Sequence, residues 1–283
     1  MDAKTTEKFA FLTLKASILL VVSFVAILLA YIIIQGYEVL SIDFLTSMPK
    51  NRMTEGGIYP ALMGTAYLVG LSIAIAVPLG VFSAIYLNEY ATPTKSTWVI
   101  EMAINNLAGT PSVVFGLFGL ALFVKFFDFG PSLLAASLTL ALLILPVVIR
   151  ASKEALITVP LEYREASLAL GVTKWKTTRH IVLPAAVPGI VTGIILSIGR
   201  VAGETAPILF TGAAYFLPRL PDSVFSQFMA LPYHLFVMAT SGTNIAQTRP
   251  IQYGTALVLL MLVLAVNCLA IVIRKHYRNK LKR

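Results

Sequence analysis

Six stretches of this chain run for about twenty residues or more without one Asp, Glu, Lys or Arg. They are Ala16–Ile34, Gly56–Asn88, Met102–Val124, Phe129–Ile149, Ile181–Gly199 and Pro250–Ile273. A helix needs about 20 apolar residues to cross a bilayer core of roughly 30 Å. Lipid offers no water to free backbone groups, so each stretch is expected to be helical. The second exceeds one crossing, and its helix should start near Pro60; the fifth continues past Arg200 to about Thr211. The chain is 58% hydrophobic and 12% charged, about half the charged share of a soluble domain. That apolar excess does not fit one soluble core, and the class is an all-α integral membrane protein. The first run is longer than a secretory h-region and lacks a clear small-residue cleavage site, so it reads as a span.

Charge placement orients the spans. With six crossings and both termini cytoplasmic, sixteen Lys and Arg fall inside, five outside, and Arg200 lies within a span. That bias follows the positive-inside rule. The segment Ser223–Thr248 also lacks Asp, Glu, Lys and Arg but holds Pro232, His234 and Asn244. Its apolar part is about 14 residues, a length suited to a re-entrant or interfacial segment. A seventh span would put the basic C-terminal tail outside, against the rule. The net charge of +9 therefore reflects membrane flanks, and no nucleic-acid partner is expected. The C-terminal basic residues suit anionic membrane lipid. One cysteine, Cys268, and three isolated histidines, His180, His234 and His276, point to neither an internal disulfide nor a metal site. Gly189 and Gly193 are spaced GxxxG, as are Gly199 and Gly203. With Pro78, Pro111, Pro146 and Pro207 they serve either close helix packing or bending during a transport cycle.

The longest inside loop, Arg150 to about His180, carries two helix-forming stretches around Gly171. Pro160 suits the start of the first, with Glu162 and Glu165 in its early turns. Gly171 suits its end. Exposed Leu168, Leu170 and Trp175 make the loop either a docking knob or an amphipathic hairpin lying on the bilayer surface.

Glu165-Ala166-Ser167, three residues, Gly171, nine residues, then Ile181-Val182-Leu183-Pro184 resembles the EAA loop of ABC importer permeases, with Ser167 replacing the second alanine. Asn105–Phe123 (NNLAGTPSVVFGLFGLALF), Phe129–Leu156 and Gly203–Gly212 (GETAPILFTG) resemble phosphate-import permeases of the PstA type; in the PstC-type companion the last motif more often begins GETMA. The resemblance spans about Gly57 to Arg274. It implies a type I importer fold with six transmembrane helices, in which residues 1–60 form an N-terminal helix and external loop. Residues 61–274 would form the permease domain, and 275–283 a basic cytoplasmic tail. It implies a bacterial or archaeal plasma-membrane complex with a PstC-type second permease, an ATPase dimer and an external phosphate-binding protein. Glu165, Ala166, Ser167, Leu168, Gly171 and Trp175 would then couple to the ATPase. This chain has no GxxxxGK[ST], so the cofactors ATP and Mg would be held by the partner and none by this chain.

Arg200 and Glu204 lie deep in the fifth span. If that span begins near Val187, Arg200 is roughly 20 Å in, too deep for easy snorkelling. Such a residue should face protein or a water-filled cavity. The i, i+4 spacing lets the two pair. They read either as a gate, with Arg200 meeting phosphate oxygens through its fork, or as a structural ion pair. Thr205 completes this candidate path site. Asn105, Asn106, Thr110 and Ser112 form a second polar cluster, lining the path or bonding a neighbouring helix. Against phosphate stand other oxyanions, sulfate or molybdate, which the EAA loop does not separate. A stand-alone secondary transporter would favour inverted repeats, and none is visible in the hydropathy. A membrane enzyme would need a nucleophile–base or metal constellation, and none is found.

Overall fold

The structure, a computed structural model, describes residues 3–241 and 245–280. Among the described residues, five helices are long and apolar enough to cross a membrane. They are α1 (Ala3–Gly36), α3 (Tyr59–Ile85), α6 (Leu133–Ile157), α9 (Leu183–Gly203) and α12 (Ile245–Lys280). Pro60 sits in the first turn of α3, where its missing N–H costs nothing. A sixth crossing is folded: α4 (Lys95–Gly109) and α5 (Ser112–Gly119), the latter extended by a π-helical stretch Leu120–Phe126, meet at 104°.

Helix α6 is the axis of the bundle. Two-thirds of its apolar window is buried (67%), against none of that of α1. It packs between α3 and α9 and also meets α4, α5 and α10 (Ala206–Thr211). The α6–α9 seam is close because Gly189 and Gly193 face Ala155 and Ala151 of α6, where an added methyl would collide. At that glycine pair the packing reading of GxxxG holds; Gly203 has open space around it. Helix α1 leans on α12, with Tyr31 edge-on to Tyr253 at 5.6 Å.

Between α1 and α3 lies a compact cap. Short α2 (Ile42–Thr46) is opened by Ser41, whose Oγ accepts from the Phe44 N–H at 3.0 Å. A two-residue hairpin follows, β1 (Pro49–Lys50) pairing antiparallel with β2 (Glu55–Gly56). After α10, an extended stretch leads to α11 (Leu231–Thr240). At ten residues α11 is too short to span a bilayer and is largely buried against α3 and α12. Asn244 of that segment lies outside the described residues.

Two expectations need correction. The third apolar window is not one straight helix, and the fifth does not run on to Thr211. The breaks fall at Thr110–Pro111 and at Glu204–Thr205. Thr110 has φ −74° and ψ 133°, and Glu204 has φ −73° and ψ 129°, both extended. Pro111 steers its predecessor Thr110 out of the helical region, whereas Pro207 sits in the first turn of α10, just beyond the second break, where a proline suits a helix start. Proline alone is not sufficient, since Pro78 and Pro146 sit inside unbroken α3 and α6. What distinguishes the breaks is Gly109-Thr110 ahead of Pro111 and Gly203-Glu204-Thr205 ahead of Pro207, residues of low helix propensity apart from Glu204.

Candidate functional site

The loop of interest folds as a helical hairpin. Its first helix is α7 (Leu161–Ala169), with Pro160 in the N-cap position; the second is α8 (Lys174–Thr177). A π-helical turn, Thr178–Val182, carries α8 directly into α9. The reversal is made by Gly171 at φ +79°, a left-handed conformation that an L side chain adopts only with strain. Its N–H donates to Leu168 O at 2.9 Å, and the Val172 N–H donates to Ser167 O.

Glu165, Ala166, Leu168, Gly171 and Trp175 are all exposed, and Leu170 is 83% exposed. Leu161, Tyr163 and a second carboxylate, Glu162, are exposed beside them, so the outer surface is largely apolar with two acids. Ser167 differs. It is buried, its hydroxyl 2.8 Å from that of Thr177, so it pins α7 to α8 and presents nothing outward.

The back of the hairpin is held by groups the sequence reading did not select. The Arg164 guanidinium donates to Glu89 at 2.8 Å (Nη2), with Nε adding contacts at 3.2 and 3.3 Å. It also donates to Leu156 O at 2.9 Å and Val159 O at 2.8 Å. Leu156 O lies in the last turn of α6, where it also accepts from the Val159 N–H at 3.3 Å, and Val159 follows the helix. The ion-pair side chains are only 15% and 6% exposed. Glu89 lies in the π turn Tyr86–Tyr90 that closes α3. The Lys174 ammonium sits 5.1 Å over the Tyr90 ring, within cation–π range. Both hairpin helices therefore grip the end of α3. Glu89 was legible as an acid ending an apolar window, but its partner is 75 positions away.

The second polar cluster is divided by the α4–α5 elbow. Asn105 accepts from Arg150 Nε and Nη2 at 3.0 and 2.5 Å. Lys153 pairs with Glu101. These groups tie α4 to α6 and line a cavity of about 420 Å³ with Leu87 and Ile157. Asn106 is exposed, its backbone oxygen accepting from the Thr110 hydroxyl at 3.0 Å. Ser112, half-buried, begins α5 beyond the bend.

Arg200 and Glu204 do meet, Nε to Oε1 at 3.4 Å. Arg200 lies in the last turn of α9, where the helix dipole favours a cation. Glu204 has left the helix, and Thr205 beside it is half-buried at the start of α10. The contact is longer than the 2.7–2.9 Å typical of a charge-assisted hydrogen bond. Helix α10 packs tightly on α5: a methyl at Gly116 would sit 2.9 Å from Pro207 Cα.

A bundle of spans, an exposed hairpin continuous with one of them and an ion pair at that span's far end define a multi-pass membrane transport subunit. The chain belongs to the family described as binding-protein-dependent transport system inner membrane component, which residues 76–283 match. It is 35% identical over 282 residues (95% of each chain) to the probable ABC transporter permease protein YqgI of Bacillus subtilis. It is 44% identical over 220 residues (77% of this chain, 71% of the relative) to the phosphate transport system permease protein PstA 1 of Mycobacterium tuberculosis. Its fold is shared with a bacterial alginate ABC transporter (TM-score 0.69, 12% identity, 94% of this chain and 93% of that one). The MetNI methionine ABC transporter in an inward-facing conformation is also similar (TM-score 0.58, 19% identity, 78% and 94%).

Proposed function

We propose that this chain is one of two membrane subunits of an ATP-driven importer of inorganic phosphate, facing a related second permease across the transport path. The observation that carries the reading is the hairpin: an exposed, glutamate-bearing knob braced from behind and continuous with the span that bears Arg200. An exposed apolar surface carrying two carboxylates, Glu162 and Glu165, fits a groove with a basic rim. The occupant of that role is a cytoplasmic ATPase dimer holding ATP and Mg, which puts the hairpin and both termini on the cytoplasmic side. The excess of Lys and Arg at that end supports the orientation. An external phosphate-binding protein delivers the anion at the opposite end.

The charged pair supplies the path's chemistry. A dianion crossing a low-dielectric region needs a cation, and the guanidinium fork matches phosphate oxygens. Glu204, held loosely, competes with the anion for Arg200, which keeps the site from becoming a trap, because conduction requires release as well as entry. Thr205, Asn105, Asn106, Thr110 and Ser112 offer hydroxyl and amide groups along the same route. Phosphate is preferred over sulfate or molybdate because relatives up to 44% identical are named phosphate permeases and because the GETAP stretch bears the pair.

The test is reconstitution of the chain with its second permease, ATPase and binding protein in liposomes. ATP-dependent uptake of phosphate with little sulfate uptake is expected. Sulfate uptake at equal or higher rate would overturn the substrate, and uptake without ATPase would overturn the coupling.

A further inference from the structure

The hairpin is bonded through the chain to only two spans. It leaves α6 through Thr158–Pro160 and enters α9 through Thr178–Val182. Helix α3 has no such covalent link to it; its end is joined only through side chains. The Arg164 guanidinium bridges three elements at once, the end of α6 through Leu156 O and Val159 O, its own α7, and Glu89 at the end of α3. Lys174 over Tyr90 repeats the connection from α8. Four residues, Ala91–Thr94, then lead from α3 to α4, whose Asn105 is held by Arg150.

We infer that Glu89 is a positioning residue that makes α3, and through it α4, move with the coupling hairpin, so that one stroke on α7 displaces the α3–α4 arm as well as α6 and α9. The geometry suits a stiff joint. Glu89 is buried and Arg164 half-buried, both carboxylate oxygens are engaged, and Asn88 Nδ2 holds Oε1 at 2.8 Å. A partly buried pair is screened less than an exposed one. The fork also restricts direction, since a guanidinium bound to two carbonyls and a carboxylate cannot swivel without losing a bond. Without this joint, α7 would still pull α6 and α9, and the elbow arm would follow only through its packing and side-chain links to α6.

The inference rests on the transport reading above, and its test separates the two. In the reconstituted complex, ATP hydrolysis and phosphate uptake are measured together for the native chain, Glu89→Ala and Glu89→Gln. With Glu89→Ala, hydrolysis is expected to stay within about twofold while phosphate carried per ATP falls about tenfold, an ordinary coupling free energy. Glu89→Gln keeps an oxygen for Arg164 and is expected to recover most of the yield. Normal phosphate per ATP in Glu89→Ala, or hydrolysis and uptake falling in proportion, would overturn the joint. Failure of the native complex to take up phosphate would instead overturn the transport reading. A second measurement needs no change at Glu89: in a Cys268→Ser background, which removes the chain's own exposed thiol, spin labels at Tyr86→Cys and Glu162→Cys, both exposed, report the distance from the end of α3 to α7. It is expected to stay constant between nucleotide-free and ATP-trapped states, and a change beyond about 5 Å, one helical turn, overturns the proposal.

Discussion

Two charged pairs among the described residues, Arg164–Glu89 and Arg200–Glu204, are built in opposite ways. Glu89 is buried and Arg164 half-buried; they are bonded on several atoms, and the guanidinium also reaches two backbone carbonyls. Arg200 and Glu204 share one 3.4 Å contact at a helix break, with side chains 37% and 16% exposed. The first pair links residues far apart in sequence and holds three elements in one arrangement. The second links neighbours and leaves the guanidinium with donors to spare. A transporter needs both kinds: a stiff joint where force enters, and a loose one where the anion must displace a partner.

The contrast can be broken by measuring stability. Arg164→Met leaves Glu89 buried without its cation, and a loss of about 3–5 kcal/mol is expected in denaturant unfolding of the purified chain in detergent. Adding Glu89→Leu should return much of it. A loss below about 1 kcal/mol for Arg164→Met would mean that water already screens the pair. Next in size, Gly171→Ala forces a side chain into a left-handed conformation and should cost about 1–2 kcal/mol; Gly171→Asn should cost less, because Asn tolerates that region. Ser167→Ala strands the buried Thr177 hydroxyl, costing about 1 kcal/mol, and Thr177→Val on top of it should add little, since removing both partners is nearly neutral. If the two costs simply add, the hydroxyl pair is not a unit.

The smallest stability change is expected at the loose pair. Arg200→Gln and Glu204→Gln should each shift unfolding by no more than about 1 kcal/mol, yet phosphate uptake in the reconstituted complex should be lost. Near-normal uptake in both would remove the gate role, and a stability loss matching that of Arg164→Met would make the pair structural.

Much of this organisation is legible in the chain because it depends on local composition. Charge-free windows report helices that lipid would force to form, and five of the six become long helices. The hairpin is legible because Pro160 and Gly171 punctuate it by backbone geometry alone. The Arg200–Glu204 contact is legible because the two stand four apart in the chain, although Glu204 is already outside the helix. The elbow at Thr110–Pro111 is not, because proline bends only where preceding residues give way, and hydropathy is blind to that. Nor is the inward turn of Ser167, which composition would place on the docking face with Ala166.

The amino-acid pattern alone establishes a membrane chain, the position of five long helices, and a hairpin ahead of the span with the charged pair. Those properties follow from transfer free energy and backbone sterics, both of which act within about twenty residues. Only the tertiary structure decided that Glu89 meets Arg164 across 75 positions and Asn105 meets Arg150 across 45. Such partners are brought within reach by how α3, α4 and α7 pack around α6; at buried Glu89 an unpaired charge would also be costly.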